Sequence, residues 1–424
     1  MSHRPLGRPR GVSDTCGMRR DRSEILIVGG GIGGLTLALA LHHVGISCRV
    51  YEATGDIRPI GVGINVLPHG TQELAAFGLE DALAAVAVIT QESVFFNRFG
   101  QLIHREPTGR FAGFAHPQFS IHRGDLQMLL LSAVRQRLGA DRVLTGWQCR
   151  GVEQDQGSVT VHFRDRSPQR GAALIACDGI HSAIRRQLYP QEGPPRYSGY
   201  NMWRGVTVWP RFLTGASMVR AGWLATGKMV IYPIRNDVDA AGRQLVNWVA
   251  EIETPRHLDR DWNRPGRLEE FLPAFADWRF DWLDVPAMIR AAETVLEFPM
   301  VDQDPLPRWS FERVTLLGDA AHPMVPRGSN GAGQAILDAR ILADCLGRHD
   351  DPAAALAAYE TLRLQPTTDV VLANRRNPPD AILRKVFERT GDKPFGRIED
   401  VISAEELRAM SEGYKVIAGL RRSS

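Results

Sequence analysis

Residues 25–45 read ILIVGGGIGGLTLALALHHVG, and no other stretch limits the fold as much. Residues 25–41 carry no charge, a length that raises a membrane-spanning helix. Five glycines (Gly29, Gly30, Gly31, Gly33, Gly34) crowd its middle and two histidines follow at once, a composition that penalises such a helix. The glycines instead separate a short apolar run, residues 25–28, from a helix-compatible run, residues 35–44, that Gly45 can cap. The chain here predicts strand, tight turn and helix.

Gly29, Gly31 and Gly34 fit the spacing G-x-G-x-x-G. The first glycine suits the tight turn, the second the approach of backbone to a pyrophosphate, the third close packing of helix on strand. The N-terminus of the helix then offers the phosphates free N–H groups. Glu52 ends the apolar run SCRVYEA, 23 residues after Gly29 (52 less 29), near the roughly 20 expected of an acid that takes ribose hydroxyls. NAD and FAD both suit this unit. Two later segments favour more than a plain NAD site. AALIACDGIHSAIRR reads as a buried strand ending at Asp178-Gly179, and RVTLLGDAAHPMVPRGSNGAGQAILDA as another ending at Gly318-Asp319, followed by a Pro-Gly turn and a helix starting near Gly331. An acid at the carboxyl end of each strand places both in the crevice where open α/β sheets bind ligands.

With 424 residues, 44% hydrophobic and 23% charged, the chain is long enough for two packed domains. Its formal charge of +3 is misleading. Residues 1–22 hold six arginines against Asp14 and Asp21, a net +4, so the remainder carries −1, and neither nucleic acid nor an anionic membrane is implied as a partner. That extension lacks the apolar core of a secretory signal, its arginines leave a transit peptide open, and Met18 offers a second start. Five scattered cysteines without paired spacing fit a reducing cytoplasm. His42, His43, His69, His116, His122 and His322 show no ligand spacing, so no metal is expected.

After Pro194-Pro195 the pattern changes to YNMWRGVTVW, KMVIYPIR and QLVNWVAEIET, aromatic and β-branched runs without βαβ spacing that predict an antiparallel sheet. RLEEFLPAFADW predicts a helix, and the chain returns to the first domain near Phe298. VFFNRFGQLIHRE predicts a hairpin that joins the second sheet. DAILRKVFERT and SAEELRAMSEGYKVIAGL predict amphipathic helices with a covering or oligomeric role. The expected division is a basic extension without fixed structure over 1–23, a cofactor domain over 24–198 and 297–375 with its hairpin near 93–117, a substrate domain over 199–296, and a helical segment over 376–424. Within the substrate sheet, Arg204 lies in an apolar strand and needs an anion, either a substrate carboxylate or a structural salt bridge. Tyr232 offers a hydroxyl to a substrate oxygen, with core packing the alternative.

The three motifs, with GVGINVLP, IHRGDLQMLLLSAV, MWRGVT, FPMVDQDPLP and LLGDAAH, resemble those of the single-component flavoprotein aromatic hydroxylases, the para-hydroxybenzoate and salicylate hydroxylase family. The likeness runs from about Glu24 to Asn374. It implies an α/β fold: a Rossmann-like FAD-binding domain with an inserted antiparallel β-sheet substrate domain and C-terminal helices. It assigns Gly29, Gly31 and Gly34 to the FAD pyrophosphate, Glu52 to the adenosine ribose, Arg123 to the flavin side and Asp319 to the ribityl and pyrophosphate region. Asp178 belongs to a motif used around both FAD and the nicotinamide nucleotide. Arg123 as a surface arginine and Asp178 as a helix N-cap are the plainer alternatives. Pro326 is placed against the flavin edge. Many relatives carry asparagine two places after the glycine aligned with Gly331, where this chain has Gly333. The N–H groups around Gly331, Ala332 and Gly333 would still face the charge at the pyrimidine end of reduced flavin.

The resemblance further implies NADH or NADPH as transient co-substrate, O₂ adding at the flavin 4a carbon, and the distal hydroperoxide oxygen attacking an aromatic or N-heteroaromatic carboxylate, with or without decarboxylation. A monomer or homodimer is expected. A flavin oxidoreductase of another type (N-oxygenase, oxidase or dehydrogenase) and a flavin-binding protein without turnover remain open. Retention of Glu52, Arg123, Asp178 and Asp319 together argues against the last.

Overall fold

A computed structural model describes residues 24–254, 264–376, 380–417 and 419. The extension over residues 1–23 lies outside them.

The strand Ile25–Val28 is buried throughout and sits inside a six-stranded sheet. Across that sheet the order is Ser310–Phe311, Val314–Leu316, Ala173–Ala176, Ile25–Val28, Cys48–Glu52, Val143–Thr145, every pair parallel except the first. From Ile25–Val28 the chain steps outward on one side, then returns to the other. The switch therefore falls between Ile25–Val28 and Ala173–Ala176, and a ligand crevice opens beyond their carboxyl ends. Both strands are uninterrupted apolar runs, as expected where both faces of the sheet are covered, here by helices and by the three-stranded antiparallel sheet Cys149–Gln154, Val159–Phe163 and Arg166–Gly171. Ile32–His43 packs against Arg123–Leu138 and Gly331–Arg348.

A second sheet holds eight strands in the order Arg264–Pro265, Val295–Asp302, Arg196–Trp209, Gln244–Glu253, Gly227–Arg235, Ser217–Trp223, Glu92–Phe96, Leu102–Pro107. The predicted hairpin is present as its last two strands. Ser217–Trp223 is a strand that the aromatic runs did not announce, and it pairs parallel with Glu92–Phe96, so the sheet is mixed at that one seam. One face buries Trp203, Val219, Met229, Ile231 and Trp248 against Phe271, Phe275 and Trp278. The helix predicted for RLEEFLPAFADW is a single turn, Leu268–Phe271, followed by a 3₁₀ turn, because Pro273 has no N–H to continue the ladder. The C-terminal helices Ala381–Thr390 and Ala404–Ile417 set Ile382, Leu383, Val386 and Leu407 over Phe95 and Ile103 of the hairpin. Among the described residues no helix is long and apolar enough to cross a membrane.

Candidate active site

The glycine turn separates two demands. Gly29 has φ 106°, and a Cβ there would stand 2.2 Å from the Cys177 carbonyl oxygen. A Cβ at Gly34 would stand 2.0 Å from the Gly29 carbonyl oxygen. Packing alone requires both. A Cβ at Gly31 would meet no protein atom within 4 Å, yet Gly31 lines a cleft of about 1160 Å³ at the carboxyl ends of the strands. The bare backbone at Gly31 leaves room for what enters the cleft, which is the fit a pyrophosphate needs.

Around this cleft the structure gathers Glu52, Arg123 and Asp178. Glu52 Oε2 accepts from the Gly30 N–H at 2.6 Å and Oε1 from the Thr54 N–H at 2.8 Å, so the acid also braces the turn. Gln127, absent from the sequence reading, donates to the Gly30 carbonyl at 2.8 Å. Arg123 begins the helix Arg123–Leu138 and is exposed into the cleft. Asp178 Oδ2 accepts from the Ala183 N–H at 2.8 Å, but the N-cap of the helix Ala183–Leu188 is Ser182, whose hydroxyl accepts from the Arg185 N–H. Asp178 Oδ1 is buried without a partner and burial raises its carboxyl above the usual range, which leaves one acceptor for a hydroxyl or amide of a bound nucleotide. Asp319 follows the strand Val314–Leu316. It is exposed on one side, and partial desolvation by the protein around it raises its carboxyl, against the pull of His322 and Arg123. Gly331 opens the helix Gly331–Arg348 beside it, its Cβ direction 3.9 Å from Asp319 Oδ1.

A buried network holds that turn from behind. Asp338 Oδ2 lies 2.6 Å from His322 Nε2, and Oδ1 accepts from Arg363 Nε at 2.7 Å. Burial opposes ionisation of Asp338, but these two partners keep its carboxyl below the usual range. His69 fills the space beside Gly333: a Cβ on Gly333 would stand 2.7 Å from His69 Nε2. Neither ring nitrogen of His69 has a hydrogen-bond partner, and burial, aided by Arg363, lowers its pKa to about 4. The missing side chain at 333 is thus matched by an imidazole from the helix Pro68–Ala76.

A separate cavity lies between the second sheet and the turn at Pro326, Arg327, Gly328 and Ser329. Strand alternation and register build its floor. Arg204 pairs with Val249, Val249 with Val230, and Val230 with Arg220, so two arginines stand at the ends of one cross-strand row with two valines between them. At about 4.8 Å per strand spacing their Cα atoms are roughly 14 Å apart. On one side of this row Met202, Glu251 and Lys228 are aligned; on the other, Asn247 and Tyr232. Arg204 Nη2 and the Tyr232 hydroxyl both donate to the Gly63 carbonyl, at 2.7 and 2.8 Å, while the Gly63 N–H donates to Asn247 Oδ1 at 2.7 Å. The partner of Arg204 is therefore a backbone carbonyl, not the carboxylate of a structural salt bridge. Its Nε is buried with no partner, and burial lowers the guanidinium below its usual value.

Of the residues named from sequence, Gly29, Gly31, Glu52, Arg123 and Asp178 line the cleft, and Arg204, Tyr232 and Pro326 line the cavity. Gly34 lies under the turn, and Ala332 packs on the first core. Sequence reasoning missed Asn65, Arg220, Lys228, Glu251 and Asp380, all on the cavity wall. Period-two alternation within each strand carries part of that signal; register between strands carries the rest.

A nucleotide crevice at a sheet switch point, with a second sheet presenting a charged floor to a Pro-Gly turn, defines a flavin-dependent oxygenase. The comparisons agree, and the chain belongs to the FAD-dependent aromatic hydroxylases: the model of the family described as FAD binding domain matches residues 22–373. A phenazine 1,6-dicarboxylic acid hydroxylase of Lysobacter antibioticus is 46% identical over 84% of this chain and 89% of its own. A 3-hydroxybenzoate 6-hydroxylase of Polaromonas naphthalenivorans is 31% identical over 83% and 86%. The structure of Klebsiella pneumoniae HpxO complexed with FAD and uric acid superposes with a TM-score of 0.74 at 27% identity, covering 94% of this chain and 95% of that one. This protein is an FAD-dependent monooxygenase.

Proposed function

We propose that the enzyme inserts one atom of O₂ into an aromatic or N-heteroaromatic carboxylate, with NADH or NADPH as electron donor, as a monomer or homodimer in the cytoplasm. The observation that carries this reading is Arg204: a guanidinium without a carboxylate partner, its buried Nε unmet, at one end of a row in which Val249 and Val230 separate it from Arg220. An anion supplied by substrate compensates it. Val249 and Val230 offer a flat surface to a ring, and Tyr232 fixes the strand that Arg204 also grips.

Bound FAD, once reduced, supplies the activation of O₂. Gly29 and Gly31 would receive its pyrophosphate on a turn that Gly34 lets pack closely, Glu52 the adenosine ribose, and Arg123, Asp178 and Asp319 the stretch toward the ring. The N–H groups at Gly331 and Ala332 would face its pyrimidine end, with Pro326 at its edge. The chain's own tasks are to orient the substrate and exclude water from the cavity. The relatives' names support ring carboxylates as a class. The five motif stretches quoted above also resemble 5-methylphenazine-1-carboxylate 1-monooxygenase, which supports oxygenation with loss of the carboxyl group.

The test is NADH and NADPH oxidation by the FAD-loaded protein against phenazine, salicylate, pyridine and indole carboxylates, with product mass recorded. Substrate-stimulated oxidation with one oxygen added, with or without loss of CO₂, is expected. A bound flavin that neither nucleotide reduces with any of these acids present would sink the proposal.

A further inference from the structure

The end of the cavity opposite Arg204 is built differently. Arg220 and Lys228 stand there with two carboxylates. Lys228 Nζ lies 2.8 Å from Glu251 Oε1 and 2.5 Å from Asp380 Oδ2, and Arg220 Nε lies 3.1 Å from Asp380 Oδ1. Arg220 also donates to Ser93 and stands over the Phe95 ring at 5.4 Å. These four charges sum to zero, but Arg327 of the facing turn lines the same cavity and its guanidinium also acts on Asp380, so the far end as a whole carries +1; the four side chains are nearly buried, and all line the cavity.

Asp380 comes from outside the sheet. It immediately precedes the helix Ala381–Thr390, in the position where an aspartate ordinarily caps the first N–H groups, yet its side chain makes no cap hydrogen bond. Its carboxylate is turned to Lys228 and Arg220 instead. Burial opposes its charge, but these cations hold it ionised, below the usual carboxylate range. An N-cap hydrogen bond ordinarily stabilises a helix, so the ion pairs take precedence over local helix stability.

Resting on the carboxylate reading above, we propose that Asp380 is a specificity residue: by offsetting one of the cations at the far end of the cavity it weakens the demand for an anion there relative to the Arg204 end. A ring with one carboxylate satisfies Arg204 and meets a largely compensated polar network at its other end. A second carboxylate placed there gains little net attraction and loses its hydration. Removing the Asp380 charge raises the net charge of the far end by one, and removing Arg220 lowers it by one.

The test uses the full-length, FAD-loaded protein and the perturbation of its flavin absorption by phenazine-1-carboxylate and by phenazine-1,6-dicarboxylate, an equilibrium readout that needs no turnover. Asp380→Asn is expected to shift the ratio of the two dissociation constants toward the dicarboxylate by about tenfold, one unit charge acting across a partly buried site. Arg220→Gln is expected to shift it the other way by a similar factor, and the double variant to return it near the starting value. Since Asp380→Asn can also weaken the fold, the opposite sign in Arg220→Gln keeps the test decisive, for a structural role would move both acids in parallel. Binding of both acids with unchanged ratios in both variants overturns the proposal alone. Binding of neither acid to the parent protein overturns the carboxylate reading and this proposal with it.

Discussion

The cleft and the cavity are built by opposite means. In the cleft the decisive groups are backbone: bare glycines, N–H groups at helix starts, and carbonyls so close that a methyl group would collide. On the cavity floor they are side chains, brought together from four strands by register. A backbone site depends on residues close in sequence and so leaves a compact motif. A register site depends on pairings between residues as far apart as Arg204 and Val249, and leaves only alternation.

The contrast is broken most severely at the glycines. Gly34→Ala, facing a carbonyl at 2.0 Å, should cost more than about 4 kcal/mol and yield little folded protein. Gly31→Ala, facing no protein atom, should leave the apoprotein's melting temperature unchanged while FAD affinity falls roughly tenfold or more. Equal losses of stability in the two variants would contradict the separation. In the register site the largest effect is expected at Lys228. Lys228→Met leaves Glu251 in the interior without its cation and Asp380 with Arg220 as its remaining ion pair, at about 3–5 kcal/mol by denaturant unfolding.

Next comes a pH effect. The His69 pKa is lowered to about 4 in the folded protein from an ordinary value of 6.5. Between these values the unfolded chain binds the proton and the folded chain does not, so stability falls as pH drops from about 6.5 toward 4, by about 3 kcal/mol in all. Carboxyls titrate in the same window, so the quantity to measure is the difference between the parent protein and His69→Leu. An identical pH slope in the two would refute it. The smallest effect is at Arg204. Because Tyr232 still donates to the Gly63 carbonyl, Arg204→Met should leave folding nearly intact and weaken binding of aromatic carboxylates by about 1.5–3 kcal/mol, roughly 10- to 100-fold in Kd.

What was legible from sequence follows this division. The strand, turn and helix at 25–43 and the acid at 178 fall where spacing put them, because those motifs are local, while Asp319 follows its strand but is not among the residues that line the cleft. Arg204 and Tyr232 stood out as polar groups in apolar strands, but their shared acceptor, Gly63, lies some 140 residues or more away in sequence. Asp380 was illegible as a cavity residue, since an aspartate before an amphipathic helix reads as a cap. Ser217–Trp223 was passed over because its short run of seven residues takes its place only through neighbours, one of them from the hairpin.

That hairpin has a consequence for how the molecule can be taken apart. Glu92–Pro107 is encoded a hundred residues before the rest of its sheet, while Val295–Asp302 carries the opposite side of the sheet back toward the nucleotide domain. A gene fragment cut at residues 199 and 296 would encode neither, and its product would present raw strand edges on both flanks, a template for aggregation. The unit that can be transplanted between proteins is therefore the whole two-sheet body, even though the text of the chain looks divisible.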